Sequence, residues 1–201
     1  MFYRGVDLGQ RRDHTAIAVV ERWDAGRPFL TPVMRFLEVR YLERVPLGTP
    51  YTLVAERVRE LVQDERLAGQ VAVAVDATGV GAPVVDLLRA ARLGCGVTAV
   101  SITGGERESQ TGAVWNVPKR DLMAGVQVLL ERGELKIAKK LRDSWALVKE
   151  LLDVRMTSTG GGKVRLGADG GGEHDDLVIA LALACWRAQR RTNGYGPGRL
   201  V

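Results

Sequence analysis

The stretch VAVAVDATG, residues 71 to 79, is a short apolar run that ends in an aspartate and a glycine. Such a run predicts a strand that is buried on both faces. Beyond it, the pattern predicts a helix over 80–91, a strand over 96–103 and a helix over 118–132. This alternation is typical of parallel strands joined by right-handed crossovers, so we expect an α/β fold.

The N-terminal third has a different pattern. The stretches FYRGVDLG, HTAIAVVERW and FLTPVMRFLEVRYLE are rich in β-branched and aromatic residues, and the polar QRRD between the first two suits a turn. We therefore expect three antiparallel strands. Apolar residues then recur at helical spacing from Thr49 to Leu67, which predicts the helix that leads into residues 71 to 79.

The C-terminal part predicts two more helices, over 141–152 and 175–190. Between them lies MTSTGGGKVRLGADGGGEH, whose glycines flank a brief KVRL and favour a mobile hairpin or loop. Residues 191–201 have no apolar periodicity, which favours a flexible basic tail. We therefore expect one domain over residues 1–190.

Composition narrows the class of protein. The 201 residues carry a net charge of +5, and the isoelectric point of about 9.5 favours an anionic partner such as nucleic acid. Cys95 and Cys185 are far apart, so neither a zinc site nor a disulfide framework is indicated. We see no signal peptide and no apolar run long enough for a membrane span, so we expect a soluble protein that is not secreted.

Three aspartates occupy positions where an acid is poorly tolerated. Asp7 ends the first strand, Asp76 ends the strand at 71 to 76, and Asp176 opens the last helix. A buried carboxylate is costly unless it is paired or binds a metal. If the strands of Asp7 and Asp76 are parallel neighbours, both acids lie at the carboxyl ends, where open α/β sheets bind their ligands.

The last helix begins with two adjacent acids, Asp175 and Asp176, which point about 100° apart. Ala180 and Ala184 follow Asp176 on its face, and these small residues would let the helix lie close against the sheet. We therefore assign Asp176 to the site. Asp175 is expected to act either as helix N-cap or as a contributor to a second metal.

Three motifs together identify a resemblance. GVDLG contains DxG after the first strand, DATGVG is DxxGxG, and HDDLVIALALA places two acids before a helix with alanines at every second position. In this order they resemble the nuclease domain of the large terminase subunit of tailed bacteriophages, within the RNase H-like (RuvC-type) superfamily. The match covers essentially the whole chain.

The resemblance implies a five-stranded mixed sheet, with strands 1–3 antiparallel and strands 4–5 parallel, flanked by helices. It also implies a site that binds two divalent cations, Mg²⁺ or Mn²⁺, and cleaves double-stranded DNA during viral genome packaging. Carried over residue by residue, the catalytic metal ligands are Asp7, Asp76 and Asp176, with Asp175 as a fourth. Oxygen ligands suit these cations.

The resemblance also implies partners: an N-terminal ATPase, a portal and a small terminase subunit, in the cytoplasm of an infected bacterium. The chain has no GxxxxGK[ST] motif, and GGGKV at 160 to 164 lacks the spacing and the Ser or Thr. An excised domain and a stand-alone nuclease both remain open.

DNA contacts are expected from basic residues near the acids. Arg11 and Arg12 follow the first strand, Lys119 and Arg120 start a helix, and Lys163 and Arg165 lie in the glycine-rich segment. For Lys119 and Arg120, a solvent-exposed helix face without DNA contact is an equal alternative. His14 is better explained as a surface residue and Asp13 as a turn residue. His174 either touches substrate or simply lies at the start of the helix. Trp115 and Trp186 are expected to be packing residues.

Other functions stay open at this point. A structure-selective resolvase on the same fold would normally need a dimer. A non-catalytic DNA-binding module of a packaging motor would keep the fold, although all three acidic positions are filled. Half of a sugar kinase or actin-like ATPase is a more distant alternative, because no second matching half is present.

Overall fold

The computed structural model describes residues 1–9, 13–25, 34–67, 69–79, 81–153, 155–158, 164–167 and 175–190. Within these ranges the larger sheet contains β1 Phe2–Asp7, β2 Ala16–Ala25, β3 Met34–Arg44, β4 Val71–Asp76, β5 Gly96–Thr103, β6 Ser109–Thr111, β7 Val114–Pro118 and β8 Leu135–Ile137. The helices there are α1 Tyr51–Gln63, α2 Gly81–Ala90, α3 Lys119–Glu131, α4 Ser144–Asp153 and α5 Asp176–Gln189.

The described strands form a mixed sheet in the order β6-β7-β5-β4-β1-β2-β3-β8. β1 pairs with β2 and β2 with β3 in antiparallel fashion, whereas β1 pairs with β4 and β4 with β5 in parallel. The α/β class and both strand directions are thus as predicted. The predicted number of five strands is wrong, because the described part of the chain adds β6, β7 and β8 to this sheet.

The three additional strands are short. β6 has three exposed residues and β8 has three residues in all, so neither produces a recognisable alternation of polar and apolar side chains. β7 pairs in parallel with β5 and leads directly into α3. Such short strands form because a neighbouring strand offers unpaired backbone N–H and C=O groups, and their own sequence pattern contributes little.

The glycine-rich segment lies mostly outside the described residues. Strands β9 Arg155–Ser158 and β10 Val164–Gly167 form an antiparallel pair separate from the main sheet. The connecting residues 159–163 are not described, and neither are residues 191–201. The glycine-rich hairpin and the flexible tail therefore stay predictions.

Helices cover both faces of the main sheet. Helices α3, α4 and α5 pack on one face, and α1 and α2 pack on the other. α5 is buried along nearly its whole length because it lies between the sheet and the two outer helices. In the described ranges, no helix combines the length and the apolar character needed to cross a membrane.

Helix α5 approaches β1 unusually closely at Gly5. A Cβ atom at this position would lie 1.9 Å from the carbonyl oxygen of Ala180 and 2.7 Å from the amide nitrogen of Ala184. The small residues on the Asp176 face of the helix thus meet a strand residue that has no side chain. This contact brings the start of α5 to the edge of the sheet where β1 ends.

Replacing Gly5 by alanine is expected to lower the free energy of unfolding by about 3 kcal/mol or more, since the new methyl group meets backbone atoms that cannot move alone. Urea denaturation measures the change. Gly96→Ala in β5 is the matched control, because nothing lies within 4 Å of a Cβ there. Equal stability of the two variants would contradict the close approach of α5.

Candidate active site

The acids predicted to act together meet at one edge of the sheet. β1 and β4 are parallel with Val6 opposite Val75, so Asp7 and Asp76, the next residues, end the two strands side by side. Asp176 is the first residue of α5 and is 3% exposed. The carboxyl ends of two parallel strands and the start of a buried helix therefore converge.

A cleft of about 290 Å³ opens at this point. Its lining includes all four predicted ligands, Asp7, Asp76, Asp175 and Asp176, together with the side chain of Lys119. The remaining lining residues are Leu8, Gly9, Asp13, Thr78, Ile102 and Ile179. Most of the lining residues are polar or charged, and the cleft is small enough to suit ions and a phosphate group.

The pKa values of two carboxylates in the cleft are raised. The pKa of Asp7 lies well above its ordinary value, first because of burial and then because of the negative charges of Asp76, Asp176 and Asp175. Lys119 opposes this shift. Burial also raises the pKa of Asp76, although the amide of Thr78 donates a hydrogen bond of 2.8 Å to its Oδ1. The cleft therefore holds more negative charge than its own cations balance.

The adjacent acids of α5 have different partners. Asp175 occupies the N-cap position, but its side chain forms no capping hydrogen bond. Its carboxylate instead accepts a bond of 2.5 Å from the ammonium group of Lys119. Asp176 Oδ2 lies 3.7 Å from Nε of Arg44, the last residue of β3. Each acid is therefore approached by a cation from a different side of the cleft.

Arg44 and Glu150 are parts of the site that the sequence analysis missed. The guanidinium of Arg44 contacts the carboxylate of Glu150 on α4. Glu150 Oε2 also accepts a hydrogen bond of 3.0 Å from the amide of Val178 in the first turn of α5. Burial raises the pKa of Glu150 to about 7. The sequence does contain a signal for Glu150: it follows Leu147 by three residues, which places this acid on the buried face of α4.

Asp13 also lies at the cleft, where the sequence favoured an ordinary turn residue. Gly9 and Thr15 exchange two hydrogen bonds, from the Gly9 amide to Thr15 Oγ1 at 3.2 Å and from Thr15 Oγ1 to the Gly9 carbonyl at 2.9 Å. They draw the two ends of the β1–β2 connection together, so Asp13 is held beside the end of β1. His14 is outside the cleft lining, and its Nδ1 lies 2.9 Å from the carbonyl oxygen of Val45.

The structure describes the side chains of only some of the predicted DNA contacts. Lys119 lines the cleft, whereas the guanidinium of Arg120 is directed to the backbone carbonyl of Glu106 and lies near Asp121. Arg11, Arg12, Lys163 and His174 lie outside the described residues, and for Arg165 only the backbone in β10 is described. Trp115 and Trp186 pack edge to face at 6.0 Å, as packing residues would.

The donor set fits a hard divalent cation. The four aspartates supply oxygen atoms only, which are the ligands that Mg²⁺ and Mn²⁺ prefer. Among the side chains whose positions are described, no group of three or more His, Cys, Asp or Glu is already arranged to hold an ion. The amide of Thr78 bonds Asp76 Oδ1, Lys119 bonds Asp175, and Arg44 approaches Asp176, so a bound ion would compete with these contacts for the carboxylate oxygens.

Asp7→Asn is expected to raise the free energy of unfolding in EDTA near pH 8, because it removes a carboxylate whose charge is disfavoured first by burial and then by the neighbouring acids. The raised pKa means that the folded protein binds more protons than the unfolded chain above the ordinary value of 3.8. Stability that Asp7 contributes at low pH is therefore lost as the pH rises through its folded pKa. Thermal unfolding at several pH values measures both effects.

The control for this prediction is Asp86→Asn on α2, an exposed acid that pairs with Arg89 at 3.3 Å. We expect it to leave stability unchanged or slightly lower. A destabilised Asp7→Asn variant at high pH would show that the Asp7 carboxylate gains more from its surroundings than it loses through repulsion in the cleft.

Comparison with solved structures finds viral terminase nucleases. The magnesium-bound large terminase nuclease from thermophilic phage G20c is 22% identical with a TM-score of 0.65, and the match covers 93% of this chain and 81% of that chain. A variant nuclease domain of the large terminase subunit gp2 of bacterial virus Sf6, with manganese and β-thujaplicinol, is 14% identical with a TM-score of 0.63, covering 92% and 87%.

The manganese-soaked nuclease domain of human cytomegalovirus terminase is 15% identical with a TM-score of 0.55, covering 92% of this chain and 81% of that chain. No family model matches the sequence, and no curated protein sequence matches it. At these identities the likeness shows the fold alone. The resemblance inferred from the three motifs is confirmed at that level: the chain has the fold of viral large-terminase nuclease domains.

Proposed function

We propose that this chain is a divalent-metal-dependent endonuclease domain of the viral terminase type, which hydrolyses phosphodiester bonds of double-stranded DNA during genome packaging. The observation that carries the proposal is the convergence of Asp7, Asp76 and Asp176 in one cleft at the carboxyl edge of the sheet. The fold is that of terminase nuclease domains, and several solved relatives hold Mg, Mn, Co or Zn.

Asp7, Asp76 and Asp176 would hold two Mg²⁺ or Mn²⁺ ions, with Asp175 as a further ligand. Such ions activate the attacking water and stabilise the leaving oxygen of an in-line displacement. The protein's own contribution is to hold the carboxylates close together and partly shielded from water. Lys119 is positioned to neutralise a bound phosphate once its contact with Asp175 is released.

The proposed substrate is read through its backbone. The cleft offers carboxylates that would hold cations and a lysine that would contact phosphate, and phosphate contacts carry no direct sequence information. We therefore infer little sequence preference. Arg11, Arg12, Lys119, Arg120, Lys163 and Arg165 remain proposed DNA contacts. An ATPase domain, a portal and a small subunit are proposed partners in the infected cell, and the domain itself is assigned to residues 1–190.

Purified protein is expected to convert supercoiled plasmid to nicked and linear DNA with Mn²⁺ or Mg²⁺, and to be inactive in EDTA. Asp7→Asn, Asp76→Asn and Asp176→Asn should each lower the rate at least about 100-fold, because each removes a metal ligand. Asp86→Asn is the control and should retain activity. Full activity of the three site variants, or cutting in EDTA, would overturn the proposal.

Metal binding can be followed separately from cleavage. Mn²⁺ at about 100 times its dissociation constant should raise the free energy of unfolding by about 2.7 kcal/mol, and Asp76→Asn should abolish most of this gain. Thermal unfolding with increasing Mn²⁺ measures it. A folded wild type that binds Mn²⁺ but never cuts DNA would favour a non-catalytic DNA-binding module.

A further inference from the structure

We propose that the turn between β8 and α4, which carries Lys139 and Lys140, is a second contact for the DNA backbone, on the opposite side of the cleft from Lys119. This inference rests on the proposed function, since it assumes that DNA reaches the acidic cleft. It names a surface that the sequence motifs do not include. Three observations support it: the position of the turn, its connection to the cleft and its charge.

The topology places the cleft between two basic groups. β1, β4, β5 and β7 are parallel, and β3 and β8 share their direction because two antiparallel steps separate β3 from β1. Lys119 follows β7, which is two strands from β4. The turn after β8 lies three strands from β1 on the other side. The carboxyl ends of β4 and β1, with Asp76 and Asp7, lie between them.

Hydrogen bonds connect this turn to the cleft. Asp143, at the end of the turn, accepts a hydrogen bond of 3.3 Å from the backbone amide of Arg44. Arg44 is in register with Ala16 of β2, which is in register with Asp7. The hydroxyl of Ser144 donates a bond of 3.1 Å to the carbonyl oxygen of Lys139. The turn is therefore fixed beside the residue that approaches Asp176.

The cations of the turn are available for an anionic partner. Lys139, Lys140 and Arg142 are exposed, and neither lysine forms an ion pair with any residue whose position is described. By contrast, Arg40, Arg57 and Arg66 on other surfaces each pair with a carboxylate at 2.7 to 2.9 Å. Trp145 follows in the first turn of α4 and is 79% exposed. Exposed lysines without a carboxylate partner are available to neutralise phosphates of duplex DNA.

The distance between the two basic groups suits duplex DNA. Six strand spacings separate β7 from β8, which corresponds to a width across the sheet of roughly 29 Å at about 4.8 Å each. That length corresponds to about eight or nine base pairs at 3.4 Å per pair along one strand. β8 ends opposite Val39, whereas Arg44 is level with Asp7, so the turn runs from there toward the cleft edge and reaches it at Asp143, beside Arg44. DNA that crosses the cleft from Lys119 would meet Lys139 and Lys140 on the far side.

The test is DNA binding without cleavage. We would measure fluorescence anisotropy of a labelled duplex of about 16 base pairs in EDTA, between about 50 and 200 mM salt. Lys139→Gln/Lys140→Gln should reduce the slope of log affinity against log salt by about 1.8, and lower affinity on the order of 50-fold at 0.1 M salt. The matched control is Arg59→Gln/Arg92→Gln, which removes two exposed charges on α1 and in the turn before β5.

The outcomes separate this inference from the proposed function. An unchanged slope for the lysine variant, an equal loss in the control, or no DNA binding by the wild type would each overturn the inference. If the wild type cuts DNA with metal and the lysine variant keeps full DNA affinity, the second contact is overturned and the nuclease proposal is left intact. A wild type that binds through these lysines but never cuts would overturn the nuclease and leave the contact in place. Unchanged Mn²⁺ stabilisation of the lysine variant verifies that its cleft is intact.

Discussion

The contact between Gly5 and the backbone of Ala180 and Ala184 determines where the acids can meet. Asp7 is two residues beyond Gly5 on the same face of β1, and Asp176 is one helical turn before Ala180. Any side chain at Gly5 would push α5 away from the sheet. The spacing of these positions therefore converts a packing contact in the core into convergence of carboxylates at the edge of the sheet.

Bringing the carboxylates together costs electrostatic free energy, and the surrounding residues reduce this cost but do not remove it. Glu150 accepts a hydrogen bond from the first turn of α5 and contacts Arg44, which approaches Asp176. Arg44 from β3 thus partly balances the negative charge at the start of this helix, to which the Glu150 carboxyl adds. Burial, and after it the charges of the neighbouring acids, raise the pKa of the Asp7 carboxyl. Neutral side chains would pack there at lower cost, so the repulsion among these acids supports the proposed cation site.

The sequence predicted the long, strongly patterned elements and the acids that interrupt them. Asp7, Asp76 and Asp176 were recognisable because each ends or begins an otherwise apolar segment. The short strands were not recognisable, since three polar residues in β6 carry no periodicity. Arg44 and Glu150 were missed because their roles depend on contacts between elements far apart in sequence, and single-chain patterns report neighbours along an element rather than across the fold.

The two cations beside the α5 acids also explain why the adjacent aspartates can do different work. Lys119 reaches Asp175 from the β7 side, and Arg44 reaches Asp176 from the β3 side. A divalent ion bound by these carboxylates would weaken both contacts, since it competes for the same oxygen atoms. The released positive charges would then flank the ions on the two sides from which a DNA backbone must enter. Cation binding and phosphate binding would therefore favour each other through the same four side chains.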